Sequence, residues 1–171
     1  MGFNPWNCFG ISSAGKCKLS LPWLAHEKQP CHGFNESVIL AVANAIASTP
    51  LKAAGYEYVS LDCGYSTGFR GADGSLTVNT TRYPHGLKWL GEQIHALGLK
   101  FGMYSDAGKQ QCCSRFYGPQ VNDGSAGHEV QDAKTFASWG VDCELPLSIL
   151  QRTLFLLLRM SDRLPKHSAR A

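Results

Sequence analysis

The sequence predicts an α/β fold of parallel βα units, about four in number, laid out as part of a βα barrel. Three observations predict it. Amphipathic helical segments alternate with short apolar strands. The strand ends near residues 63 and 105 lie about forty residues apart, the pitch of a repeating βα unit. Long loops follow the strands, at 64–85 and 106–127, whereas the helix-to-strand turns are short. Long loops at the C-terminal ends of strands are where such a barrel builds its site.

Gly2–Gly10 supplies a candidate first strand. Asn35 is a favoured N-cap type, and Val38, Val42, Ala45 and Ile46 then recur at helical spacing. Pro50 closes that helix, and Gly55 leads into the strand Tyr56–Asp62 (YEYVSLD). In the second unit Leu87, Leu90, Ile94 and Leu97 share one helix face. Gly98 stands where a left-handed helix terminus is wanted, and the strand Leu99–Ser105 follows, ending at Asp106. The third unit places Val130, Ala133, Phe136 and Ala137 on a helix, then Gly140 and a strand beginning at Val141-Asp142. A doubly wound sheet is the rival arrangement and calls for a glycine-rich phosphate loop after its first strand. Cys8-Phe-Gly-Ile-Ser-Ser-Ala-Gly-Lys16 fits neither G-x-G-x-x-G nor G-x-x-x-x-G-K-[ST].

At 171 residues, 44% hydrophobic and 17% charged, the chain reads as globular with a real core. The net charge of +3 gives no nucleic-acid footprint: residues 1–142 hold eleven basic and eleven acidic side chains, and the whole excess sits in 143–171. The seven cysteines include no C-x-x-C pair, so no metal site is expected. Two sequons, Asn35-Glu-Ser37 and Asn79-Thr-Thr81, make Asn35 and Asn79 glycosylation candidates. With the cysteine count they point to an oxidising, secretory compartment. Met1-Gly-Phe-Asn-Pro-Trp-Asn7 lacks the apolar run of a signal peptide, so the expectation is either a cytosolic protein or a true start that lies upstream.

Five segments, Met1–Asn7, Ala54–Asp62, Arg82–Lys88, His95–Gly108 and Gln131–Asp142, resemble in that order glycoside hydrolase family 27, the α-galactosidases of fungal type. Met1–Asn7 is similar to its M-G-W-N-S-W-N opening, and Ala54–Asp62 to its second strand. Arg82-Tyr-Pro-His-Gly-Leu-Lys88 resembles R-F-P-x-G-x-K, and His95–Gly108 resembles H-S-K-G-L-K-F-G-I-Y-S-D-A-G. Gln131–Asp142 closes the match, which divides the chain into a partial glycosidase barrel, 1–142, and a divergent tail, 143–171. The resemblance implies the N-terminal half of a (β/α)8 TIM barrel, incomplete here, that hydrolyses terminal α-galactosyl residues with retention. It implies α-galactoside sugars as partners, no cofactor, and secretion.

By the same resemblance Trp6 matches a sugar-contacting Trp, Asp62 the first Asp of a D-D-C-W motif that binds galactose hydroxyls, and Tyr104 a pocket Tyr. A carboxylate suits hydroxyl donors because its bonds to them are charge-assisted. The plain structural alternatives are a core Trp, a capping or ion-paired Asp, and a core Tyr. Asp106 also matches a family position and is assigned to the loop's structure.

The departures concern the chemistry. Retaining hydrolysis needs a nucleophilic carboxylate and a second carboxyl that acts as acid, then base. The family's nucleophile ends a W-G-V-D-Y-L-K-Y-D motif. Counted without gaps from Trp139 its place falls on Leu147, with the motif's Lys on Leu145 and its Tyr on Pro146. The acid/base has no counterpart in the sequence, so the chain is expected to be inactive, with non-catalytic galactose binding or an interaction role as the alternative. After Asp62, an ungapped match replaces the rest of D-D-C-W by Cys63-Gly64-Tyr65, whereas a one-residue gap restores the Cys. Ile11 stands where many members have a disulfide half, and Cys8 with Cys63 is the substitute bridge the resemblance suggests. Cys112 matches a cysteine whose usual partner is absent, so it is either unpaired or joined to another Cys.

The tail segment Leu145–Met160 (LPLSILQRTLFLLLRM) is too short and too interrupted by Gln151 and Arg152 for a membrane span. Membrane-surface binding is the lesser reading of its amphipathic pattern. The abrupt change at Cys143 reads instead as an altered 3′ end, such as intron read-through.

Overall fold

The computed structural model describes residues 1–3, 35–62, 64–111 and 119–146. Four strands form one parallel sheet: β1 (Gly2–Phe3), β2 (Tyr58–Leu61), β5 (Lys100–Ser105) and β6 (Cys143–Pro146), in the order β1-β2-β5-β6. A helix lies in each crossover, as parallel pairing requires: α1 (Glu36–Ser48), α2 (Gly86–Ala96) and α3 (Glu129–Ser138). The sheet continues through Pro146, so the compositional change at Cys143 does not interrupt the backbone pattern. Trp6, Cys8, Cys63, Cys112, Leu147 and the tail beyond it lie outside the described residues.

The strands begin later than the sequence pattern suggests, because turns claim the preceding amides. Tyr56 N donates to Leu51 O at 3.0 Å, so β2 starts at Tyr58. Leu99 N closes α2 on Ile94 O, and Val141 N closes α3 on Phe136 O, so β5 and β6 start at Lys100 and Cys143. Both closures turn at a glycine of positive φ, Gly98 (67°) and Gly140 (77°), where a side chain would be strained.

Asn35 caps α1 as expected, its side chain accepting from Val38 N at 3.0 Å. The buried stripe of α1 is Ile39, Val42, Ala43 and Ile46, the i, i+3, i+4, i+7 set. Val38 is only half-buried, so the face is rotated from the Val38, Val42, Ala45, Ile46 set that the sequence suggests. On α2, Leu87, Leu90 and Ile94 are buried as expected. On α3, Val130 is exposed rather than packed, and the buried first-turn residue is Asp132. These stripes cover one face of the sheet, formed by Val59 and Leu61 of β2 and by Phe101 and Met103 of β5. The helix comes close there: a Cβ on Gly91 of α2 would lie 2.9 Å from the Phe101 ring.

The segment 64–85 is more than a loop. It folds as an antiparallel hairpin of β3 (Ser66–Arg70) and β4 (Leu76–Val78). Asp73-Gly74 makes its turn, with Asp73 Oδ1 accepting from Ser75 N at 3.0 Å.

Arg70 fastens this hairpin to the body. Its guanidinium forms a two-pronged pair with Asp132 of α3, Nη1–Oδ1 at 2.8 Å and Nη2–Oδ2 at 2.6 Å. Three carbonyls take the remaining donors, those of Gly74, Gly124 and Asn122, at 2.8, 2.8 and 3.0 Å. Both charged side chains are fully enclosed, at 2% and 1% exposure. A buried ion pair gains little over a well-packed apolar pair, but removing one member strands the other charge. At the other edge the buried Glu36 carboxylate holds the turn before α2, bonding His85 Nδ1 at 2.7 Å and His85 N at 3.2 Å. Tyr83 is enclosed in that turn, and burial pushes its phenol above the usual tyrosine range. Among the described residues no helix is long and apolar enough to cross a membrane.

Asp132→Ala should destabilise the chain by about 3–5 kcal/mol, measured by urea unfolding, because the Arg70 charge is left buried and unpaired. A loss below about 1 kcal/mol would mean that solvent reaches Arg70.

Candidate functional site

Strand alternation sends every second side chain to the sheet face away from the helices. On β2 and β5 those positions are Tyr58, Ser60, Lys100, Gly102 and Tyr104. The register pairs Ser60 with Gly102 and Leu61 with Met103, so one residue further Asp62 comes level with Tyr104. Backbones of neighbouring strands lie about 4.8 Å apart. Asp62 and Tyr104 thus form one row on one face, at the C-terminal ends of their strands. Both are half-buried. On the far side of Tyr104 the register places Leu145 of β6.

Two features fix this row. Gly102 leaves room for the Ser60 side chain: a Cβ at 102 would meet Ser60 Oγ at 2.3 Å and Cys143 O at 3.3 Å. Beyond β5 the loop is laced to the segment before α3. Ser105 Oγ and Ser125 Oγ, both buried, lie 2.6 Å apart, and Ser125 N donates to Asp106 O at 2.8 Å. Gly124 packs so closely that a Cβ there would lie 2.2 Å from Gly108 O.

The N-terminal ends of the strands are built differently. Lys100 Nζ bonds the Glu57 carboxylate at 2.9 Å and sits 5.0 Å from the Tyr58 ring centre. That bond holds the Glu57 carboxyl below the usual range and raises Lys100, at groups open to solvent where such a pair adds little stability. This end fits structure rather than ligand capture.

Of the residues singled out in the sequence, Asp62 and Tyr104 are brought together, and Leu145 belongs to the adjacent strand β6. The sequon asparagines also lie close to one another. Asn35 caps α1, while Asn79 Oδ1 accepts from Arg82 N at 3.2 Å, and Arg82 O accepts from Glu36 N at 3.0 Å. Ser60 and Gly102 escaped the sequence reading, which assigned Asp106 to the loop's structure. The signal for the two was the alternation itself, small or polar positions (Ser60, Gly102) interleaved with Val59, Leu61, Phe101 and Met103. An open cavity of about 450 Å³ lies between Gly108–Gln110 and Pro119–Asn122, and neither Asp62 nor Tyr104 lines it. Among the described residues no cluster of three His, Cys, Asp or Glu side chains could hold a metal ion.

A parallel βα sheet with polar groups gathered at its strand C-termini has the layout on which βα-barrel proteins build their sites. The Melibiase_2 family, described as "Alpha galactosidase A", matches residues 16–147, and the chain belongs to it. The α-galactosidase of Cyamopsis tetragonoloba is 40% identical over 159 residues, which cover 89% of this chain and 32% of that protein. The crystal structure of α-galactosidase I from Mortierella vinacea matches 84% of this chain and 29% of its own, at 35% identity and TM-score 0.65. A Saccharomyces cerevisiae α-galactosidase determined with raffinose matches 87% and 26%, at 28% identity and TM-score 0.67. The chain therefore spans about a third of the length of the curated relatives it matches.

Gly102→Ala should cost about 1–3 kcal/mol by overpacking the strand pair. In a double-mutant cycle, Ser60→Ala should recover part of that loss, because it removes the nearest clash. Full additivity of the two changes would show that the strands do not meet at this pair.

Proposed function

We propose that this chain carries the galactoside-recognising front portion of a retaining α-galactosidase, and that by itself it binds terminal α-galactosyl groups without hydrolysing them. The observation that carries this reading is the level row of Asp62 and Tyr104 at the strand C-termini. Asp62 accepts sugar hydroxyls, Tyr104 stands beside it, and Trp6 offers a face for the ring. The raffinose found with the yeast relative is an α-galactoside, in keeping with that substrate class.

The inactivity follows from positions 145 and 147. Leu145 stands next to Tyr104 in register, where the resemblance calls for a Lys. Leu147, where it calls for the nucleophile, has no atom that can form a glycosyl bond. Entry into an oxidising, secretory compartment, with glycans on Asn35 and Asn79, belongs to the same proposal, supported by the two sequons and the seven cysteines.

Purified chain should release no p-nitrophenol from an aryl α-galactoside above the buffer rate. It should give saturable heat with galactose, weakened about tenfold or more in Asp62→Ala, the loss expected for a charge-assisted hydrogen bond. Turnover that survives Asp62→Ala would falsify this placement of the chemistry, and absence of any galactose heat would remove the binding role.

A further inference from the structure

Asp-Gly-Ser occurs twice in the sequence, at 73–75 and at 123–125. An aspartate followed by glycine can react with its own main chain. The glycine amide nitrogen bonds to Cγ of the protonated carboxyl, and the amide hydrogen leaves with the carboxyl hydroxyl as water. Water then opens the five-membered imide at either carbonyl. One opening returns aspartate, and the other leaves isoaspartate, whose main chain is one methylene longer. The step needs a glycine amide free to attack, a carboxyl free to turn, room for the ring, and water. The second copy offers none of these. Asp123 is 1% exposed. Its Oδ1 accepts from Gln111 N at 3.1 Å, and its carbonyl accepts from Gln111 Nε2 at 3.2 Å. Gly124 N donates to Lys109 O at 3.1 Å, and the Gly124 backbone is packed against Gly108 with no space for an added methylene.

The first copy is exposed, at the tip of the β3–β4 hairpin, and is held by hydrogen bonds rather than by burial. Asp73 Oδ1 accepts from Ser75 Oγ at 2.7 Å as well as from Ser75 N. The Ser75 hydroxyl first, and its amide second, keep this carboxyl below the usual carboxylate range, so little of the reactive protonated form is present. Gly74 N donates to Gly71 O at 2.9 Å. Two carbonyls of the turn are gripped by side chains outside it: Asp73 O by Gln131 Nε2 at 3.1 Å, and Gly74 O by Arg70 Nη1 at 2.8 Å. The turn also rests on the start of α3, since a Cβ on Gly74 would lie 3.0 Å from the His128 ring and 3.1 Å from Gln131 Oε1. We propose that Asp73 is a covalent modification site of this chain, the aspartate that converts to isoaspartate, and that docking of the hairpin tip on α3 sets its rate. An extra methylene in this turn is incompatible with the spacing of the bonds from Ser75, Gln131 and Arg70, so the modified tip stays undocked. Neither the turn nor its chemistry depends on what the strand C-termini bind.

The test incubates the full chain at mildly acidic pH and body temperature, folded and in urea, and follows two tryptic peptides. Peptide 71–82 carries Asp73 and peptide 116–134 carries Asp123. The isomer has unchanged mass, so it is read by its shifted retention and by the backbone fragments specific to isoaspartate. In the folded chain isoaspartate should accumulate at 73 and not at 123, whereas in urea both should react at similar rates. Gln131→Ala leaves Asp-Gly-Ser intact and removes one hydrogen bond to the turn. The open tip should then be populated about fivefold more, and isoaspartate at 73 should form faster by that factor. Ser75→Ala, which releases Oδ1 from the hydroxyl, should also speed the reaction in the folded chain. Neither substitution should change the rate in urea, where no docking exists to be lost. Isoaspartate at 123 equal to or above that at 73 in the folded chain overturns the choice of site. So does its absence from both over a period that converts most of the chain in urea. A folded-state rate at 73 unmoved by both substitutions overturns the role of docking.

Discussion

Everything placed near the candidate site depends on the parallel register between β2 and β5. Side chains alternate along a strand, so a slip of one residue would send Asp62 to the face opposite Tyr104. Ser60 opposite Gly102 resists that slip. The space above Gly102 is filled by the Ser60 side chain, and a Cβ at position 102 would meet Ser60 Oγ at 2.3 Å. The apolar alternates hold the other face: Val59, Leu61, Phe101 and Met103 are fully buried under α1 and α2. A shift would have to expose them, at a cost of roughly 1.5–3 kcal/mol for each large side chain. Core and site are thus the two faces of one pattern.

The loops then convert strand ends into a fixed surface. Arg70 is the main fastener, since its five donors reach α3, the hairpin turn and the segment before α3 at once. The Ser105–Ser125 contact and the Asp106 bonds anchor that same segment to the end of β5. The segment before α3 is thus held at two places, by Arg70 at Gly124 O and by the Ser125 N bond to Asp106 O. The Glu36–His85 contact does the equivalent work between α1 and the turn before α2.

Much of this was legible in the sequence. The βα alternation, the Asn35 cap, the Gly98 and Gly140 turns, the Leu87–Leu90–Ile94 stripe and the family all follow from residue types at fixed spacing. Element edges did not, because Tyr56, Leu99 and Val141 are apolar and strand-like, yet their amides serve turns. The hairpin β3–β4 was hidden for a different reason: Ser66–Arg70 and Leu76–Val78 are short and mostly polar, and their stability comes from Arg70 meeting Asp132, 62 residues away. Val130 misled because helical spacing alone cannot say which edge of a stripe is covered. In the candidate site, Asp62 and Tyr104 were singled out through motifs. Asp106 was placed in the loop's structure, and its bond to Tyr104 is a matter of side-chain direction at the end of a strand.

Recognition and catalysis ask for different geometry. A row built on adjacent parallel strands approaches a ligand from one side, with its members about one strand spacing apart. That is enough to hold hydroxyls. Retaining hydrolysis asks for more: two carboxyl groups flanking the glycosidic bond about 5–5.5 Å apart, one attacking the anomeric carbon while the other protonates the departing oxygen. The described sheet supplies one such row, at the C-terminal ends of β2 and β5. One row on one side suffices for the recognition proposed above, whereas retaining hydrolysis needs a second carboxyl that faces it.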